Sequence, residues 1–207
     1  FIDFDLDGRL DIFQSNGHLE EDIAKVQSSQ RYAQSPQLFW NAGPEFTTEF
    51  VKCRENETGP DLQKPMVGRG ASYADIDNDG DQDIYAVMGG AVEGDRFRNV
   101  LFENTSATGN HWVKLKLQGV TANRAAIGAR VRIKVKMPNG GFQNFYHTVC
   151  TGASFGSQTL TVQAGLGKAT GIEEIEIEWP NAKQTKETIT GVTMDSEINI
   201  KEGIGKL

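Results

Sequence analysis

Two short stretches of this sequence carry oxygen ligands at metal-binding spacing: DFDLDGRLD (residues 3–11) and DIDNDGDQD (residues 75–83). Each has Asp at positions 1, 3, 5 and 9 and Gly at position 6. These are Asp3, Asp5, Asp7, Asp11 and Gly8 in the first, and Asp75, Asp77, Asp79, Asp83 and Gly80 in the second. Alternate spacing lets a tight loop turn successive carboxylates toward one centre, and Gly permits the sharp turn. The carbonyl of position 7, Arg9 or Asp81, can face inward; only its main chain would bind, so its side chain is expected to vary freely. Hard oxygen donors in a flexible loop suit Ca2+ better than zinc or copper, and Mg2+ keeps more of its water. Without a cation, two carboxylates ~5 Å apart repel by roughly 3 kcal/mol at an effective dielectric near 20. The expectation is two Ca2+ ions, one per loop, structural and not catalytic. They would bring the formal charge from -7 to -3.

The loops are not EF-hands. That motif needs a bidentate Glu at position 12 and a following helix. Position 12 is Gln14 or Ala86, and DIFQS and DIYAVM read as strands. A second shared element follows each loop, LFWN (residues 38–41) and LFEN (residues 101–104), with the longer connection in the first copy. Such a repeat predicts stacked β units of the propeller-blade kind, over residues 1–108. Two blades cannot close a ring, and Phe1 lies two residues before a metal-type motif, so a longer precursor is expected. Open blade edges would be templates for pairing with another chain, making self-association an expectation.

After residue 108 the pattern becomes clean alternation. WVKLKL, ARVRIKVKM, QNFYHTVC, QTLTVQ, IEEIEIEW, KETIT and EINIKE read as strands, and PNGG (residues 138–141) as a hairpin turn. Ile175, Ile177 and Trp179 should face a core, with Glu174, Glu176 and Glu178 in water and Pro180 ending the ladder. The fold class expected is all-β: partial propeller-like blades, then a β-sandwich over residues 109–207.

Composition narrows function. An acidic chain without a long basic run is a poor binder of nucleic-acid phosphates, and no apolar run is long enough to span a bilayer. Lys and Arg in KLK and RVRIKVK form either a positive stripe for an acidic polymer or, more simply, a solvated sheet face. Residues 152–156 fit the G-x-S-x-G nucleophile elbow, but a strand pattern follows and all three His precede Ser154, so no catalytic residue is expected. GLGKAT lacks the spacing and hydroxyl of a phosphate loop and reads as a β-turn. The His are too scattered for zinc. Cys53 and Cys150 are either buried thiols or a disulfide. Asn56 and Asn104 begin glycosylation sequons, relevant only in a eukaryotic secretory host.

The DxDxDGxxD loops resemble those of FG-GAP/VCBS repeats, the blades of integrin-type β-propellers. In the second half, GNHWVKLKLQG, NRAAIGARVRI, TGASFGSQ, GLGKA and IEEIEIEWP, in that order, resemble the ASPIC/UnbV domain of the cartilage acidic protein family. There too FG-GAP/VCBS repeats precede the domain. VGRGASYADIDNDGDQDIY and the segment after it are similar to the last repeat of bacterial members. QAGLG departs from a common His-Phe before Gly-Leu-Gly. The resemblance implies a secreted or cell-surface, calcium-binding, non-enzymatic protein with calcium on the ten residues named above. It implies no ligand; the partner expected is an unidentified extracellular protein or glycan, and the exposed β edges give the alternative of further copies in a fibre or multimer.

Overall fold

A computed structural model describes residues 1–89, 97–153, 156–157 and 159–207. Among the described residues the chain is all-β apart from two single-turn helices, α1 (Ile23–Val26) and α2 (Glu55–Thr58), and one 3-10 turn. Its first half forms two three-stranded antiparallel sheets. One is β1 (Ile12–Gln14), β2 (Gln37–Asn41) and β3 (Phe50–Lys52); the other is β4 (Gly68–Ala74), β5 (Asp83–Met88) and β6 (Val100–Phe102).

The repeat seen in the sequence is a repeat of strand register. Ile2 bridges Asp11 just as Ala74 pairs with Asp83, so each Asp loop closes a hairpin at the same rung. Ile12 pairs with Phe39 as Ile84 pairs with Phe102. The LFxN elements are therefore β2 and β6. The two sheets meet where Phe13 packs on Phe102, centroids 6.0 Å apart, beside Met66, Ala86, Met88 and Val100.

The second half is a sandwich. Its strands are β7 (His111–Gln118), β8 (Arg130–Lys136), β9 (Phe142–Thr148), the short pair β10 (Gly152–Ala153) and β11 (Gly156–Ser157), β12 (Val162–Gly167), β13 (Gly171–Glu178), β14 (Lys186–Ile189), β15 (Ser196–Lys201) and β16 (Gly205–Lys206). One sheet runs β12-β7-β15-β16, the other β14-β13-β8-β9. Alternation places Val113, Leu115, Leu166, Ile198 and Ile200 of the first sheet against Val131, Ile133, Val135, Ile175 and Ile177 of the second. Each such aliphatic side chain stabilises the fold by about 1.5–3 kcal/mol when fully buried. Trp179 is fully enclosed, and β13 ends before Pro180. Residues 138–141 turn the β8–β9 hairpin, with Gly140 at φ 82°.

One expectation changes, and two open alternatives narrow. GLG continues β12 through a register shift and turns only at Gly167, because β7 supplies a strand partner for it. On the basic face of β8, Arg132 pairs with Glu174 (2.9 Å) and Glu176 of β13, while Lys186 of β14 reaches Glu176 and Glu178. The two thiols are free, with Cys53 half-buried and Cys150 exposed. Burial pushes the Cys53 thiol up to about 11. Ser154 of the G-x-S-x-G pattern lies outside the described residues.

The C-terminal strands are locked by Glu202. Its buried carboxylate accepts the amides of Val120 (2.5 Å), Thr121 (2.7 Å) and Ala122 (2.8 Å), the Thr121 hydroxyl and the Asn181 amide. Burial raises its pKa, but the bonds from Thr121, Ala122, Val120 and Asn181 more than offset this and hold it at about 2 against an ordinary 4.5. A carboxylate with a depressed folded pKa stabilises above its unfolded value and loses that contribution as pH falls through the folded one. Glu202→Gln should therefore destabilise by roughly 2–4 kcal/mol at neutral pH. In paired thermal melts, its deficit against the wild type should shrink between pH 4.5 and 2.

Candidate metal centres

The two loops are wired alike. At position 6 the N–H of Gly8 donates to Asp3 Oδ2 (3.1 Å), and that of Gly80 to Asp75 Oδ2 (2.8 Å). The amide of position 5 donates to the position-3 carboxylate, and that of position 7 to the position-5 carboxylate, in both copies. These bonds fold the chain around its own acids. Position 4 takes the left-handed conformation, Leu6 at φ 60° and Asn78 at φ 66°. Asn tolerates this, whereas for Leu it costs about 1–2 kcal/mol. Leu6 is buried, and its carbonyl accepts the Gly167 N–H at 2.9 Å.

Position 9 joins the loop to its sheet. Asp11 accepts the amides of Phe4 (3.1 Å) and Asn41 (2.7 Å); Asp83 accepts those of Ile76 (2.9 Å) and Asn104 (2.8 Å). The Asn of LFWN and LFEN is thus the partner of the last Asp in each loop. Both Asn side chains also cap the following turn, through the amides of Gly43 and Ser106. Asn104 Nδ2 donates to the Phe4 carbonyl at 2.7 Å, so the nitrogen of that sequon is engaged in linking the two copies.

Carboxylate oxygens converge within 4.8 Å in Asp3, Asp5 and Asp11, and in Asp75, Asp77 and Asp79. Asp7 turns aside to an ion pair with Arg9, and Asp83 stands outside the second cluster; both oxygens of Asp83, like both of Asp11, accept backbone amides. Position 7 is less free than its spacing implies. Arg9 Nε also donates to the Asn41 carbonyl at 2.8 Å, while the Asp81 side chain is buried with Oδ1 unpartnered.

The electrostatics ask for a cation. Burial, then the charges of Asp7, Asp5 and Asp11, push Asp3 up to about 8. Asp11 rises to about 7 through burial despite its amide bonds, and Asp81 to about 7 through burial and the neighbouring Asp79 and Asp83. Burial also raises Asp7. These groups cannot all ionise at neutral pH without compensating positive charge. Asp3 Oδ1 and Asp75 Oδ1 are enclosed acceptors with no hydrogen-bond partner, a costly state that a cation would relieve. The converging atoms are all carboxylate oxygens, so the donor set fits a hard divalent ion.

Sequence reasoning missed what holds the loops from outside. Trp40 Nε1 donates to Asp5 Oδ2 (2.9 Å), and Gln82 Oε1 accepts the Asp3 amide at the long distance of 3.4 Å. The sandwich supplies more. Thr108 and Asn110 donate to the Asp5 carbonyl, Phe145 lies against Gly8, and Trp112 against Gly80. Lys114, expected on a solvated face, is buried and pairs with Asp75, because the second loop covers that part of β7. Only the recurring Asn had a signal in the sequence.

A methyl group at Gly80 would overlap the Trp112 indole, and one at Gly8 the Phe145 ring, both from positive φ. Gly80→Ala and Gly8→Ala should each lose roughly 3 kcal/mol in denaturant titrations, through strain and overpacking together.

Among curated proteins, none matches the chain significantly. Residues 119–207, the sandwich from the end of β7 onward, match the family model described as ASPIC and UnbV.

Proposed function

We propose that the protein is a calcium-stabilised, non-enzymatic extracellular binding module, in which FG-GAP/VCBS-type blades and an ASPIC/UnbV sandwich are clamped together by metal loops. The observation that carries this is the pair of enclosed, unpartnered oxygens, Asp3 Oδ1 and Asp75 Oδ1, at position 1 of two identically wired loops. In the first loop Asp3, Asp5 and Asp11 would hold the ion; in the second, Asp75, Asp77 and Asp79. The match to the ASPIC and UnbV model supports an extracellular setting, where calcium is abundant.

A cleft of about 740 Å3 between β1 and β4, lined by Ile2, Leu10, Phe13, Tyr73 and Ile84, favours a protein segment over a glycan as partner. The alternative of a fibre or multimer subunit is supported by edge strands β3 and β6, which expose Val51 and Leu101.

Calcium should raise the melting temperature with a midpoint near 0.1–1 mM, and EDTA should reverse it. At ten times the dissociation constant each site adds about 1.4 kcal/mol. Asp3→Asn should abolish the first-loop share. A melt indifferent to calcium up to roughly ten times that range would refute the reading. Assembly through edges would instead appear as concentration-dependent light scattering, reduced by Leu101→Lys.

A further inference from the structure

The two loops share their backbone wiring and differ in what reaches the innermost carboxylate. In the first, Asp3 Oδ2 accepts the Gly8 amide, and no cationic side chain pairs with Asp3 among the described residues. The nearby Arg9 pairs instead with Asp7, from a guanidinium that is 40% exposed. In the second, Asp75 Oδ2 accepts the Gly80 amide and also the ammonium of Lys114. That pair is sealed: the Lys114 and Asp75 side chains are 6% and 0% exposed. Lys114 Nζ lies 5.0 Å from the centroid of the Trp112 ring, which itself covers Gly80. A cation–π contact therefore also steadies the ammonium.

We propose that Lys114 sets the cation selectivity of the second loop. It is a built-in ammonium that supplies part of the loop's positive charge and makes this loop the weaker divalent site. The inference rests on the calcium reading above. A divalent ion entering the first loop meets an enclosed carboxylate with no competing cation. One entering the second must either displace the ammonium from Asp75 or sit beside it, and in an enclosed site both cost affinity. Ligand charge count is what tunes such loops, and Lys114 lowers the net charge the ion meets. Lys114 also belongs to β7, so the ion pair ties the second loop to the sandwich.

Each loop carries its own optical reporter. Trp40 donates to Asp5 in the first loop, and Trp112 covers Gly80 in the second. Titrate calcium into the full chain and follow Trp fluorescence in Trp40→Phe and Trp112→Phe, which keep the second-loop and first-loop reporter respectively beside the buried Trp179 of the sandwich core. The expected result is a midpoint for the first loop lower by on the order of tenfold or more. Lys114→Met should close that gap by tightening the second loop, and Lys114→Arg should preserve it. Terbium luminescence, sensitised by the same Trp residues, should give the same order. Equal midpoints in the Lys114-containing protein would overturn the proposal, whether or not Lys114→Met folds. So would an unchanged gap in Lys114→Met. In either case calcium still binds, and the calcium reading stands. No response from either Trp and no binding heat would overturn both.

Discussion

The structure depends on carboxylates buried before their charge is balanced. Asp3 and Asp75 are drawn inward by the amides of their own loops, and the second half of the chain then closes over them. Burial makes ionisation costly, and convergence of neighbouring acids makes it costlier. Position 9 spends both its oxygens on backbone amides, so the sheet and the loop share one carboxylate. Positive charge or protons at its centre offset that cost. On the calcium reading, a loop of this design would make the fold sensitive to a cation in a way that an apolar core is not.

The halves meet where this charge lies. Trp112, Phe145, Gly165 and Gly167 all touch the loops from the sandwich, and Thr108 and Asn110 donate to Asp5 from the connecting segment. Each half also has its own apolar cluster, one around Phe13 and Phe102, the other around Ile133, Ile175 and Trp179. Hydrophobic burial builds the two bodies, and the loops set how they are joined.

Much of this was legible because it repeats or alternates. The Asp spacing located both loops, and the LFxN echo located β2 and β6. Strict alternation in ARVRIKVKM and IEEIEIEW placed Val131, Ile133, Ile175 and Ile177 inside. What alternation could not convey was which face of β7 another element would cover. Lys114 and Lys116 occupy the same face in sequence, yet Lys114 is buried under the second loop and Lys116 pairs with Glu197 in solvent. The Glu202 anchor was equally hidden, since its partners at residues 120–122 lie some eighty residues earlier. Long-range contacts of polar groups leave no periodic trace.

The place of β7 has a further consequence during synthesis. It lies between β12 and β15, antiparallel to the first and parallel to the second, so its neighbours are made well after it. A ribosome delivers the aspartate loops first, then β7, and completes the sheet only when residues 196–201 emerge. Until then β7 keeps a bare ladder edge. Domains generally fold as they leave the ribosome, N-terminal unit first. Here the N-terminal unit must wait for β12 before Gly165 and Gly167 reach its first loop.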